Sequence, residues 1–177
     1  MVRLTSRALA GTFEDPADVA RAIEGLREAH VEPDQVSVLL RSEPPPAEPG
    51  GRERETATRS RGLGALAPAV HWLGGLVSAE AAGLGRVVGA GAALDALASR
   101  AQGNLVGALE GLGLPLWGAR SYQEQVRQGR VLVVVAVPDR TVAEQTRRVL
   151  ADYGAVETFY FTGRLYGTAF HGAGPGA

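Results

Sequence analysis

Three kinds of residue in this chain have types and spacings that bear on chemistry: glycines, histidines and close carboxylates. Glycine-rich loops can cradle phosphates through their backbone N–H groups. Here Gly83-Leu84-Gly85-Arg86-Val87-Val88-Gly89 misses the dinucleotide-binding Gly-x-Gly-x-x-Gly spacing by one residue, and Gly89-Ala90-Gly91 lacks the third glycine. The chain has no lysine, so it has no Gly-Lys-Ser/Thr loop either. Nucleotide binding through these segments is not expected. His30, His71 and His171 are far apart, and none has a metal-type partner at helical spacing. Glu14 and Asp15 are adjacent, with Asp139 as a near repeat, but helix capping accounts for them without acid–base work. No serine stands in a Gly-x-Ser-x-Gly elbow. The absence of cysteine excludes disulfides, thiolate metal sites and cysteine nucleophiles. The expectation is a protein with no catalytic residue, no cofactor and no metal.

The elements that would have to position any such residues centre on the stretch from Arg61 to Gly118. Its small residues recur every fourth position: Ala81, Gly85, Gly89 and Ala93 in one row, Ser99, Gly103, Gly107 and Gly111 in another. On an α-helix that spacing makes a side-chain-poor stripe against which a second helix packs closely. Helices are therefore expected around Ala67–Ala79, Ala82–Ala98 and Leu105–Leu112. A glycine costs a helix about 1 kcal/mol relative to alanine, and close packing supplies the reason to accept it. The expected interaction residues are Ala81, Gly85, Gly89, Ala93, Gly103, Gly107 and Gly111. Trp72 and Trp117 bracket this block.

Both flanks read as ordinary α/β segments. In the first, Leu9 to Phe13 alternates, Asp15-Pro16 starts a helix striped by Val19, Ile23 and Leu26, and Val36, Val38 and Leu40 share one face of a strand. In the second, Ser121 to Glu124 reads as a capping box, Val131 to Val137 as a central strand apolar on both faces, and Thr141/Glu144 as a second box. Val156 to Thr162 is the last strand. With Asp15 placed on Asp139, the two flanks become two β-α-β units. The expected fold class is α+β, a ferredoxin-like split β-α-β sandwich with a helical Gly/Ala-rich insertion between its halves. The expected organisation is a first half at 1–40, a disordered-like linker at 41–61, the insertion at 62–118, a helix with the second half at 119–163, and a flexible tail at 164–177. The linker carries Pro44-Pro45-Pro46 and the mixed run Arg52-Glu53-Arg54-Glu55, a solvated composition that does not suit nucleic acid.

The net charge of −1 gives no global drive toward nucleic acid or an anionic membrane. The longest run without a charged residue, Gly62 to Ala79, is broken by Pro68, His71 and several glycines. Together with the absence of an apolar leader in Met1–Thr5 and of cysteine, this points to a cytoplasmic protein.

Three pieces of the chain carry a family resemblance. They are Gly11-Thr12-Phe13-Glu14-Asp15 with its helix and Val36-Ser37-Val38-Leu39, the Gly/Ala-rich middle, and Gly113-Leu114-Pro115 through Tyr122-Gln123-Glu124-Gln125-Val126-Arg127-Gln128-Gly129-Arg130-Val131-Leu132-Val133. On these the chain resembles the YflT-type heat-induced or general stress protein domain family of bacteria. The resemblance implies stress association and no catalytic residues. Glu80, Arg86, Asp95, Arg100 and Glu110 set the middle of this chain apart from the family's nearly uncharged block. The leading expectation is a non-enzymatic protein whose glycine-striped helices mediate self-association, as a homo-oligomer, or docking on a protein partner. Two other readings stay open: a membrane-associated protein inserting the same helices, and a ferredoxin-like module holding a small ligand between its sheet and the inserted helices.

Overall fold

The computed structural model describes residues 7–42, 64–99 and 103–162. Most of the expected linker, from residue 43, and the whole expected tail lie outside the described residues.

Strand β1 (Arg7–Phe13) leads into helix α1 (Pro16–Glu28). Asp15 caps that helix, its carboxylate accepting from the Ala17 N–H at 2.8 Å, and Pro16 supplies the fixed φ of the first turn. A short 3-10 turn, Pro33–Gln35, brings the chain to β2 (Val36–Arg41). Helix α2 covers residues 64–72. Strands β3 (Val77–Ala81) and β4 (Gly85–Ala90) follow, then α3 (Ala92–Ala98), α4 (Leu105–Gly111) and α5 (Leu116–Arg127). Strand β5 (Val131–Ala136), α6 (Arg140–Asp152) and β6 (Val156–Thr162) complete the order.

The six strands form one antiparallel sheet in the order β3-β4-β2-β5-β1-β6. β5 lies between β1 and β2, and both of its faces are buried. Val131, Val133 and Val135 join Leu9, Phe13, Val36 and Val38 in one core, under α1, α2 and α6. Leu132 and Val134 join Ala8, Ala10, Leu39 and Val87 in the other, under α3, α4 and α5. Helices on both faces explain why β5 is an unbroken apolar run rather than an alternating one. The expected alternation of β1 and of β2, and the inward stripe of Val19, Ile23 and Leu26, hold residue by residue.

The middle of the chain differs from the helical expectation. The helix expected at Ala67–Ala79 ends at residue 72, and Val77–Ala79 belong to β3. The helix expected at Ala82–Ala98 is instead a turn, strand β4 and the short α3. The insertion therefore extends the sheet by a hairpin beside β2 before it turns helical. Residues four apart share a face in a strand as well as in a helix, so the small-residue spacing fits both. The close approach is real but runs between strand backbones. Gly89 pairs with Leu39, and a Cβ at Gly89 would fall onto the Val38 carbonyl oxygen.

Smaller departures concern helix starts. α5 begins at Leu116 with Pro115 as its N-cap, so Ser121 sits inside the helix and forms no capping box. At α6 the cap is Asp139, which accepts from the Val142 N–H at 2.9 Å, so Thr141 is not the cap. No helix among the described residues is long and apolar enough to cross a membrane.

Candidate ligand-binding cleft

At one end of the sheet, where β1 and β2 begin and β4 and β5 finish, a cleft of about 810 Å³ opens between the sheet and the inserted helices. That volume falls within the span of small-molecule sites. Ala8, Val134 and Ser37 contribute from the sheet, Ala92 and Asp95 from α3, and Trp72 from the end of α2.

Local sequence explains each wall. Gly91 adopts φ +94°, and any side chain there would strike the Val36 carbonyl and Ser37. Only glycine lets the chain pivot from β4 into α3 so near to β2. Ser37, 4% exposed, then anchors the helix: its Oγ accepts from the Ala93 N–H at 3.1 Å. Asp95 N–H also bonds back to the Gly91 carbonyl, and the Asp95 side chain is exposed at the cleft. On the opposite side α2 ends in two left-handed glycines, Gly74 and Gly75, whose N–H groups return to the His71 and Val70 carbonyls. That C-terminal stop holds Trp72 and Leu73 at the mouth. Glu32, Pro33, Asp34 and Gln35, the turn before β2, form the rim.

A second polar cluster lies at the other end of the sheet. Tyr122 and Gln125 of α5 reach β1 and β6 where the pairing slips between Ala10 and Thr12. The buried Tyr122 hydroxyl faces two carbonyl oxygens, 2.9 Å from Ala10 and 2.7 Å from Glu157. Gln125 accepts from the Thr12 hydroxyl and from Arg130, and donates to the Glu157 carboxylate. Glu157 takes φ +51°, a strained value for a side-chain-bearing residue. Burial, with Glu157 as a lesser contributor, pushes the Tyr122 hydroxyl above its ordinary pKa. This arrangement satisfies backbone groups freed by the bulge and has the character of a structural clasp.

The residues singled out from sequence are dispersed. Ala81 closes β3, Gly85 and Gly89 lie in β4, Ala93 is buried on α3, and Gly107 and Gly111 lie in α4. Ala81, Gly85 and Gly89 are thus corrected from a helix to a hairpin. Gly103 precedes the α4 cap Asn104 with its Cα against the Glu80 carbonyl, where a Cβ would not fit. α3 and α5 do each pack on α4. Glu14 reaches Arg130 at 3.6 Å, and Asp15 caps α1. His30 and His71 are exposed, and no group of His, Asp and Glu that could hold a metal gathers among the described residues. His171 lies outside them.

Nothing in the type or spacing of Ser37, Asp95 and the turn Glu32–Gln35 marks them in the sequence as parts of one site. One signal for the hairpin was present: Glu80 and Arg86 flank the turn and pair across it at 3.4 Å. No family model matches this chain, and no curated protein or solved structure matches it either.

Proposed function

We propose that this chain is a non-enzymatic binding module on a ferredoxin-like core, holding a small organic molecule between its sheet and its inserted helices. The cleft carries this reading: it is mostly apolar inside and polar at the rim. The ferredoxin-like description is supported by β2-β5-β1-β6, in which α1 joins β1 to β2 and α6 joins β5 to β6. β3 and β4 then extend the β2 edge. Association with stress is part of the proposal through the family resemblance alone.

A thermal-shift screen of small organic compounds tests it. A ligand at a hundred times its Kd should add about 2.7 kcal/mol of stability. Its effect should vanish in Ala92→Trp, which places a large ring in the cleft from an exposed position. Hits that persist in that variant, or an empty screen, count against the reading.

Self-association is the second reading. It is favoured by Leu116 and Trp117, 45% and 52% exposed at the start of α5, with the Trp117 ring over Phe159 and Phe161 of the edge strand β6. Light scattering decides it: a dimer that dissociates on Trp117→Ser supports it, and a monomer of the native chain removes it.

A further inference from the structure

We infer that the occupant of the cleft is an organic cation with an apolar body: an ammonium or guanidinium group on an alkyl or aromatic frame. This rests on the binding-module reading above. Charge and shape both point this way. Glu32, Asp34 and Asp95 stand at the cleft, exposed, and none of them is ion-paired among the described residues. No described residue lining the cleft is basic. Arg7 borders it, and its guanidinium is directed onto the Pro138 carbonyl at 2.9 Å. An anionic ligand would therefore meet three like charges and no opposing cation in the lining.

The interior suits the other half of such a molecule. Ala8, Val134, Leu73 and Leu112 offer apolar surface, and Trp72 offers an aromatic wall. An aromatic face attracts a cation through its quadrupole, most strongly for tryptophan. Ser37 adds one polar point within the wall. Its Oγ is already engaged, accepting from the Ala93 N–H. The cleft thus offers carboxylates for a cation and apolar surface for a frame.

Three probes of similar shape and different charge separate this inference from the reading beneath it: phenethylamine, 2-phenylethanol and 3-phenylpropionate. Binding is followed by amide shifts of Ser37, Ala92 and Asp95 and by the Trp72 indole proton. Phenethylamine should bind about tenfold more tightly than 2-phenylethanol, with 3-phenylpropionate weakest, because several exposed carboxylates each add a modest attraction. That preference should fade at 0.5 M salt, roughly, where charges are screened within a few ångströms. Asp34→Asn combined with Asp95→Asn should cut the preference of phenethylamine over 2-phenylethanol by several-fold. If the three probes bind the cleft equally, or the carboxylate binds best, the cation inference is overturned and the binding module stands. If none of them shifts the cleft residues, the inference falls as well, and the thermal-shift screen then decides the reading beneath it.

Discussion

Two buried hydroxyls in this molecule have opposite situations. Thr146 on α6 is 1% exposed, and its Oγ1 has no hydrogen-bond partner among the described residues. Leaving such a group unpaired costs roughly 1–3 kcal/mol. Thr146→Val, which keeps the branched shape, should raise the unfolding free energy by about 1 kcal/mol in a urea titration. Tyr122, also 1% exposed, is fully engaged between the Ala10 and Glu157 carbonyls. Tyr122→Phe should destabilise by about 1–2 kcal/mol, because the single proton facing the two buried carbonyl oxygens is lost. Its pH dependence has a definite sign. The folded-state pKa is raised, so the contribution is full below the unfolded value near 10 and is lost as pH climbs above it. Stability should therefore fall through alkaline pH in the native chain and fall less steeply in Tyr122→Phe.

At the scale of elements, Gly89 separates the hairpin from the helix that its spacing suggested. On a helix, Gly89→Ala would add about 1 kcal/mol of propensity. In β4 the new methyl meets the Val38 carbonyl and the Leu39 backbone, so the same change should cost more than about 2 kcal/mol. Equilibrium unfolding gives the sign directly. The contrast also explains which parts of the fold were legible. In the flanks, Asp15-Pro16 and Asp139 fix helix starts, and Val36/Val38/Leu40 and Val131–Val135 fix strands, because branched residues and caps favour one period over the other. In the middle, glycine and alanine favour neither period, and a spacing of four satisfies both. The Glu80/Arg86 pair and the β-branched Val87-Val88 were the distinguishing marks. The cleft was legible only as a location, between sheet and insertion. Its residues are ordinary until Gly91 and the end of α2 bring Ser37, Trp72 and Asp95 to one place.

For the whole molecule, two helical layers cover both faces of the sheet, and the two ends of the strands differ. At one end Tyr122, Gln125 and Arg130 close the gap with a hydrogen-bonded clasp. At the other, α3 and the end of α2 stand apart and the gap is the cleft. This open end is the proposed seat of the ligand. The most direct measurement is amide and indole shift mapping of the native chain with the best thermal-shift hit. A ligand in the cleft should give saturable shifts confined to Ser37, Gly91, Ala92, Asp95 and Trp72. Saturable shifts centred on Trp117 and β6, with those five unmoved, would place the ligand elsewhere and rule the cleft out.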